Sequence, residues 1–132
     1  MKQELNQFDE EGKEHGPWKV YFDNGFLEFE GTYHHGLRDG LCIDYFHWGT
    51  PLQKANYKKG VMHGFSTAYT GNGSVSSIYS YAEGQVDGHC RSFWGFNDCL
   101  QQDFFAKNGE YLSPVRNYDV YGKLELEIIN II

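Results

Sequence analysis

Six histidines, three cysteines and an excess of carboxylates are the side chains here that could hold a metal or move a proton, so their spacing comes first. His34 and His35 are adjacent. In a strand or tight turn successive side chains point apart, so this pair is expected not to chelate together. His15 and His63 occupy equivalent places with Asp39 between them, but units built of two strands are separated by about 10 Å, too far to share one ion. Cys42 and Cys90 fail by the same distance, and Cys99 completes an odd set with no paired-thiol motif. No glycine loop leads into a helical stretch to cradle a phosphate, and Ser74, which follows Gly73, has no evident His and Asp partners. Glu28 and Glu30 share a strand face and are expected to serve solubility. The expectation is a non-enzymatic protein without metal or cofactor.

What positions these residues is a repeat. Gly16, Gly40, Gly64 and Gly88 stand 24 residues apart; Gly12, Gly36, Gly60 and Gly84 keep the same interval, as do Gly25, Gly49 and Gly73. Two aromatic columns share it: Tyr21, Tyr45, Tyr69 and Phe93 form one, Tyr33, Tyr57, Tyr81 and Phe105 the other. The beat then slips, with Gly109 standing 25 after Gly84 and Gly122 standing 25 after Asn97, the residue taken to replace the column glycine. One residue inserted between about Asp98 and Lys107 explains these offsets.

Within a unit, Trp18 to Phe22 is rich in strand formers and Asp23-Asn24-Gly25 signals a hairpin turn. Leu27 to Tyr33 follows as a second strand, with Leu27, Phe29 and Tyr33 expected on one face and Glu28, Glu30 and Thr32 on the other. His35-Gly36 turns the chain again. No 3.6-residue apolar stripe is long enough for a helix. A single hairpin cannot bury enough surface to stand alone, so copies must stack into one antiparallel sheet. The fold class is therefore all-β: an elongated single-layer antiparallel sheet of tandem 24-residue hairpins. Residues 1–15 form an acidic lead-in, 16–112 four repeats, and 113–132 a degenerate fifth repeat acting as a cap. The run from Leu124 through Leu126 and Ile128 to Ile132 is a closing strand, or an edge that a second chain could cover.

The formal charge of −7 disfavours nucleic acid and anionic lipid surfaces. The polar start, Met1 to Gly16, carries no apolar signal segment, no stretch is long enough to span a bilayer as a helix, and the unpaired cysteines suit a reducing cytoplasm.

The unit from Gly16 to Gly40, with Trp18, the Tyr21-Phe22 pair, Asn24-Gly25, Gly31, Tyr33 and Gly36, closely resembles the bacterial variant of the MORN repeat. Later units keep the glycines and tyrosines but replace Trp18 with Cys42, Ser66 and Cys90, and Gly31 with Ala55, Tyr79 and Asp103. The resemblance covers about residues 12–125. It implies a curved sheet whose concave face carries aromatic rows, and roles as scaffold, dimerisation module, peptide-binding groove or lipid-binding surface. Many bacterial relatives of this variant carry an antitoxin label. On that basis the chain is expected to bind a protein partner through Tyr21, Tyr33, Tyr45, Tyr57, Tyr69, Tyr81, Phe93 and Phe105, with inhibitory binding of a toxin-like protein as the sharpest version. The alternatives are a scaffold closing a homodimer through Leu124, Leu126 and Ile128, and lipid docking, which the net charge disfavours.

Overall fold

Two of the three glycine intervals are turn intervals, while Gly16, Gly40, Gly64 and Gly88 lie within strands. His35-Gly36, Lys59-Gly60, Glu83-Gly84 and Asn108-Gly109 all have positive φ at both residues, between 47° and 85°, the backbone that a two-residue hairpin needs to match the strand twist. At the opposite end of the strands lie longer turns, closed by Phe22 N–H to Phe26 O, Phe46 N–H to Thr50 O and Thr70 N–H to Ser74 O. Gly25, Gly49 and Gly73 there take φ between 92° and 103°, a region a Cβ opposes.

The computed structural model describes residues 4–129 and contains strands and turns but no helix among them. The strands are β1 (Gln7–Phe8), β2 (Glu14–Tyr21), β3 (Leu27–His34), β4 (Leu37–Tyr45), β5 (Pro51–Lys58), β6 (Val61–Tyr69), β7 (Val75–Ala82), β8 (Gln85–Val86), β9 (Gly88–Phe93), β10 (Leu100–Lys107), β11 (Glu110–Tyr118) and β12 (Leu124–Ile128). They pair antiparallel with their sequence neighbours in one open sheet; β8 and β9 are two stretches of one arm, interrupted at Asp87. This is the single-layer hairpin repeat expected. The expected lead-in is partly sheet: Gln7 and Phe8 pair with His15 and Glu14, so β2 begins before residue 16. The far C-terminal part of the expected closing strand, residues 130–132, lies outside the described residues.

The inserted residue lies earlier than the periodicity suggested. The fourth long turn closes from Trp94 N–H to Cys99 O, one residue longer than its predecessors, and Asp98 takes φ 59° where they carry glycine. Asn97 is the counterpart of Asn24 and Asn72, since each carboxamide oxygen accepts the N–H two residues on. Asp98, not Asn97, therefore replaces the column glycine, and Gly122 follows it by the regular 24. Downstream, Gly88 faces Ala106 and Cys90 faces Phe104, as Gly64 faces Tyr81 and Ser66 faces Tyr79. Phe105 and Asp103 thus leave the columns to which simple counting assigned them; Ala106 and Phe104 take those places.

A second correction concerns the faces. Tyr21 faces Leu27 while Val20 faces Phe29, the extra residue Glu28 forming a bulge that recurs in each unit. Residues directly opposite share a face, so Leu27 sides with Tyr21 and not with Phe29 and Tyr33.

The core is one ladder across the middle of the sheet. Trp18 faces Gly31, Cys42 faces Ala55, Ser66 faces Tyr79 and Cys90 faces Phe104. Each hairpin either pairs a large residue with a small one or pairs two small ones, and the large partner changes strand between the first and third units. A Cβ on Gly31 would meet Cys42 Sγ at 2.7 Å and Phe29 at 2.9 Å. In a single layer such residues are sealed only by their neighbours' longer side chains, yet Cys42 is 1% and Cys90 0% exposed.

Candidate functional site

Strand alternation separates the two predicted aromatic columns. Tyr33, Tyr57 and Tyr81 face Gly16, Gly40 and Gly64 on the same side as the small ladder. They are half-buried: Tyr33 packs 5.6 Å from Phe29 and 5.9 Å from Trp18, ring to ring. Arg38 lies over this side, its guanidinium 4.4 Å from the Phe29 ring and 5.3 Å from the Tyr57 ring, with both terminal nitrogens 3.0 Å from the Asp44 carboxylate. Here the tyrosines are lid and core together. Burial pushes the Cys42 and Cys90 thiols up from their ordinary range, leaving them poor nucleophiles.

Tyr21, Tyr45, Tyr69 and Phe93 lie on the opposite face. Tyr45 donates to Glu30 at 2.7 Å, and Lys54 sits 5.6 Å over the Tyr69 ring. Burial, reinforced by the Glu30 carboxylate, raises the Tyr45 phenol to about 12. A second row runs parallel: Leu41 on β4, Phe65 on β6 and Phe105 on β10, the last stacked on His89 with centroids 4.6 Å apart. Tyr21, Leu41, Phe65 and Phe105 are 56%, 54%, 57% and 54% exposed. Sequence reasoning missed Leu41 and Phe65 because they belong to no tyrosine column; the signal was their place one residue before the Trp18-equivalent position. The predicted site is therefore not one surface: four of its residues share the open face, three form the covered face, and Phe105 joins the open face by the register slip.

At the C-terminal end, Leu126 faces Asn117 and Ile128 faces Val115 on the covered side, whereas Leu124 faces Tyr118 across the bulge on the open side. All are about half-exposed on a strand whose outer edge has no partner among the described residues.

The turn ends hold two ladders that the periodicity alone did not explain. At the long turns Asn24 Nδ2 donates to His47 O, Trp48 Nε1 to Gly71 O and Asn97 Nδ2 to Val120 O, tying the first, second and fourth turns each to the next. At the short turns Gly36, Gly60, Gly84 and Gly109 donate to the carbonyls of Glu14, Arg38, Met62 and Val86 in the preceding unit. The ring Nδ1 atoms of His15 and His63 accept the N–H of His35 and Glu83 in the same way, at 3.1 and 3.3 Å. The column shared by His15 and His63 is thus an acceptor column.

One expectation about these histidines fails. His15, His34 and His35 bring ring nitrogens within 4.8 Å of one another. His34 lies one residue beyond the Gly16–Tyr33 pair, directly across from His15 on the open face, and the positive φ of His35 breaks strand alternation and turns its ring to the same side. His35 Nδ1 is 2.6 Å from Asp9 Oδ2. That hydrogen bond, with the Lys13 and Glu11 backbone N–H groups, holds the Asp9 carboxyl down at about 2.

No helix among the described residues is long and apolar enough to cross a membrane. No family model matches this chain, and no curated protein matches it.

Proposed function

We propose that the chain is a non-enzymatic, MORN-like protein-binding module that holds a partner protein on its open sheet face. The observation that supports this most is the exposure of Tyr21, Leu41, Phe65 and Phe105 on one side of a single layer, with Tyr45, Tyr69 and Phe93 beside them. Large apolar side chains mixed with tyrosine hydroxyls are the composition of protein interfaces, whereas the tyrosines of the other face are already engaged in covering the small ladder. Inhibitory binding of a toxin-like protein is the sharpest form of the reading and rests on the resemblance of the repeat unit. The unpaired thiols fit action in a reducing cytoplasm. Affinity purification with wild type and with Leu41→Ser/Phe65→Ser, followed by mass spectrometry and titration of the purified partner, tests the assignment. These substitutions remove exposed apolar area and leave the small ladder intact. The partner should be lost with the fold, followed by circular dichroism, unchanged; equal affinity for both chains would remove the open face from consideration.

A second reading, a homodimer closed through Leu124, Leu126 and Ile128, is favoured by the exposure of every residue of β12. Light scattering of the wild type should then give a dimer mass that falls to monomer on truncation before Leu124. A monomeric mass for both chains counts against it.

A further inference from the structure

We infer that His15, His34 and His35 form a binding site for a single divalent transition ion of the zinc, cobalt and nickel type, oriented from outside by Asp9. Three imidazoles are a ligand set that such ions favour and that magnesium and calcium do not. Their ligand atoms are already within 4.8 Å of one another. A tetrahedral ion with metal–nitrogen bonds of about 2.05 Å needs them about 3.3 Å apart, a contraction that side-chain rotation supplies, because His34 and His35 are exposed and His15 is half-covered.

The hydrogen bonds set the ring nitrogens for this task. His35 donates its Nδ1–H to Asp9 Oδ2 at 2.6 Å, which leaves Nε2 with a free lone pair. This is the carboxylate–histidine arrangement that fixes tautomer and raises ligand basicity at metal centres. The Asp9 carboxylate is itself held by the Glu11 and Lys13 backbone N–H groups at 2.8 and 2.9 Å. His15 accepts the His35 N–H at Nδ1, so its proton is on Nε2 and its Nδ1 lone pair is held by that amide. The ion would take that lone pair in place of the amide proton. His34 offers either nitrogen. A depression lined by Phe8, Asp9, Glu10, Glu11 and His35 adjoins the cluster, and its carboxylates favour a cation.

The arrangement belongs to the first unit alone. The equivalent positions are Asp39, Lys58 and Lys59 in the second and His63, Ala82 and Glu83 in the third, so the turn-clamping acceptor needs no histidine at the other two places. That supplies internal controls.

Titration of the full chain with zinc chloride, followed calorimetrically, should show one ion bound per chain at unchanged molecular mass, and cobalt(II) should give the visible absorption of a four-coordinate site. His34→Gln/His35→Asn should abolish both signals. The second substitution gives the short turn its preferred Asn-Gly pair, so the fold is kept. Asp9→Asn should weaken zinc about ten- to a hundredfold, the usual cost of removing an outer carboxylate partner, and His63→Gln should change nothing. Absence of binding in the wild type, retention in the double histidine variant, or half an ion per chain with a doubled mass would each overturn the site.

Discussion

Removing the Asp44 carboxylate should destabilise the sheet far more than removing the whole Arg38–Asp44 pair. Both nitrogens of the guanidinium fork lie 3.0 Å from the carboxylate, Tyr57 Oη is 3.3 Å from Nη1, and the cation rests on the Phe29 and Tyr57 rings. The two side chains are 28% and 27% exposed, too covered for water to replace the carboxylate fully and too open for the cost of a wholly buried charge. Breaking a fully buried pair costs about 3–5 kcal/mol and a hydrogen bond to a charged group is worth about 1.5–3, so Asp44→Ala should cost about 2–3 kcal/mol. The third unit shows what an apolar version looks like, because Met62 and Ala68 occupy the places of Arg38 and Asp44. Arg38→Met/Asp44→Ala should therefore recover to within about 1 kcal/mol of wild type, since replacing both charges removes their desolvation cost together. Urea unfolding followed by near- and far-ultraviolet circular dichroism measures this, with the midpoint compared at constant slope. A double variant no more stable than Asp44→Ala would refute the reasoning. So would an Asp44→Ala chain indistinguishable from wild type.

Gly31→Ala should lose about 1–2 kcal/mol in the same assay, as overpacking against Cys42 and Phe29 outweighs the usual gain from stiffening the unfolded chain, and Cys42→Ala should return part of it. Asp98→Gly should raise stability by about 0.5–1 kcal/mol by relieving a positive φ at the one long turn of the middle units that lacks the glycine. Asn24→Ala should cost about 1–2 kcal/mol, because it removes the donor to His47 O and the acceptor of Phe26 N–H. The pH limits are of opposite origin. Asp9, depressed to about 2, contributes stability that is complete above its unfolded value near 4 and is lost as pH falls through 2, so Asp9→Asn should flatten the acid limb. Tyr45, raised to about 12, contributes stability that is complete below its unfolded value near 10 and is lost as pH rises through 12; absorbance titration of wild type against Tyr45→Phe isolates it.

The fold was legible because its strongest constraint, a backbone of positive φ, is written in a residue type that stands out. His35-Gly36 and its three counterparts announce the short turns, and Gly25, Gly49 and Gly73 the long ones. The faces were less legible. A bulge at Glu28 leaves Leu27 and Phe29 two residues apart yet on opposite sides, and nothing in the side chain of Glu28 distinguishes it from an ordinary strand residue. The aromatic columns were correctly grouped within themselves as far as Phe93 and Tyr81, but their relation to one another depended on that bulge. A different break in alternation hid the histidine cluster, since alternation holds within β3 up to His34 and ends at the positive φ of His35.

The register slip shows how a repeat absorbs an insertion without losing its core. An extra residue within β10 would move every later side chain to the wrong face. Placed instead in the turn between Trp94 and Cys99, it leaves Leu100 facing Phe93 as Val75 faces Tyr69, and Phe104 reaches the small ladder opposite Cys90. What changes is the residue assigned to each place. Ala106 stands where a tyrosine would have covered the ladder, and Phe105, which counting placed in the column of Tyr33, Tyr57 and Tyr81, is turned to the open face beside His89. The substitution is compensated locally: Phe104, Ala106 and Cys90 form a buried cluster against Tyr79, Val86 and Val115, so a large residue within the ladder replaces a large residue lying over it. The aromatic side chain gained by the open face is the consequence, and it extends the row of Leu41 and Phe65 on which partner binding is proposed.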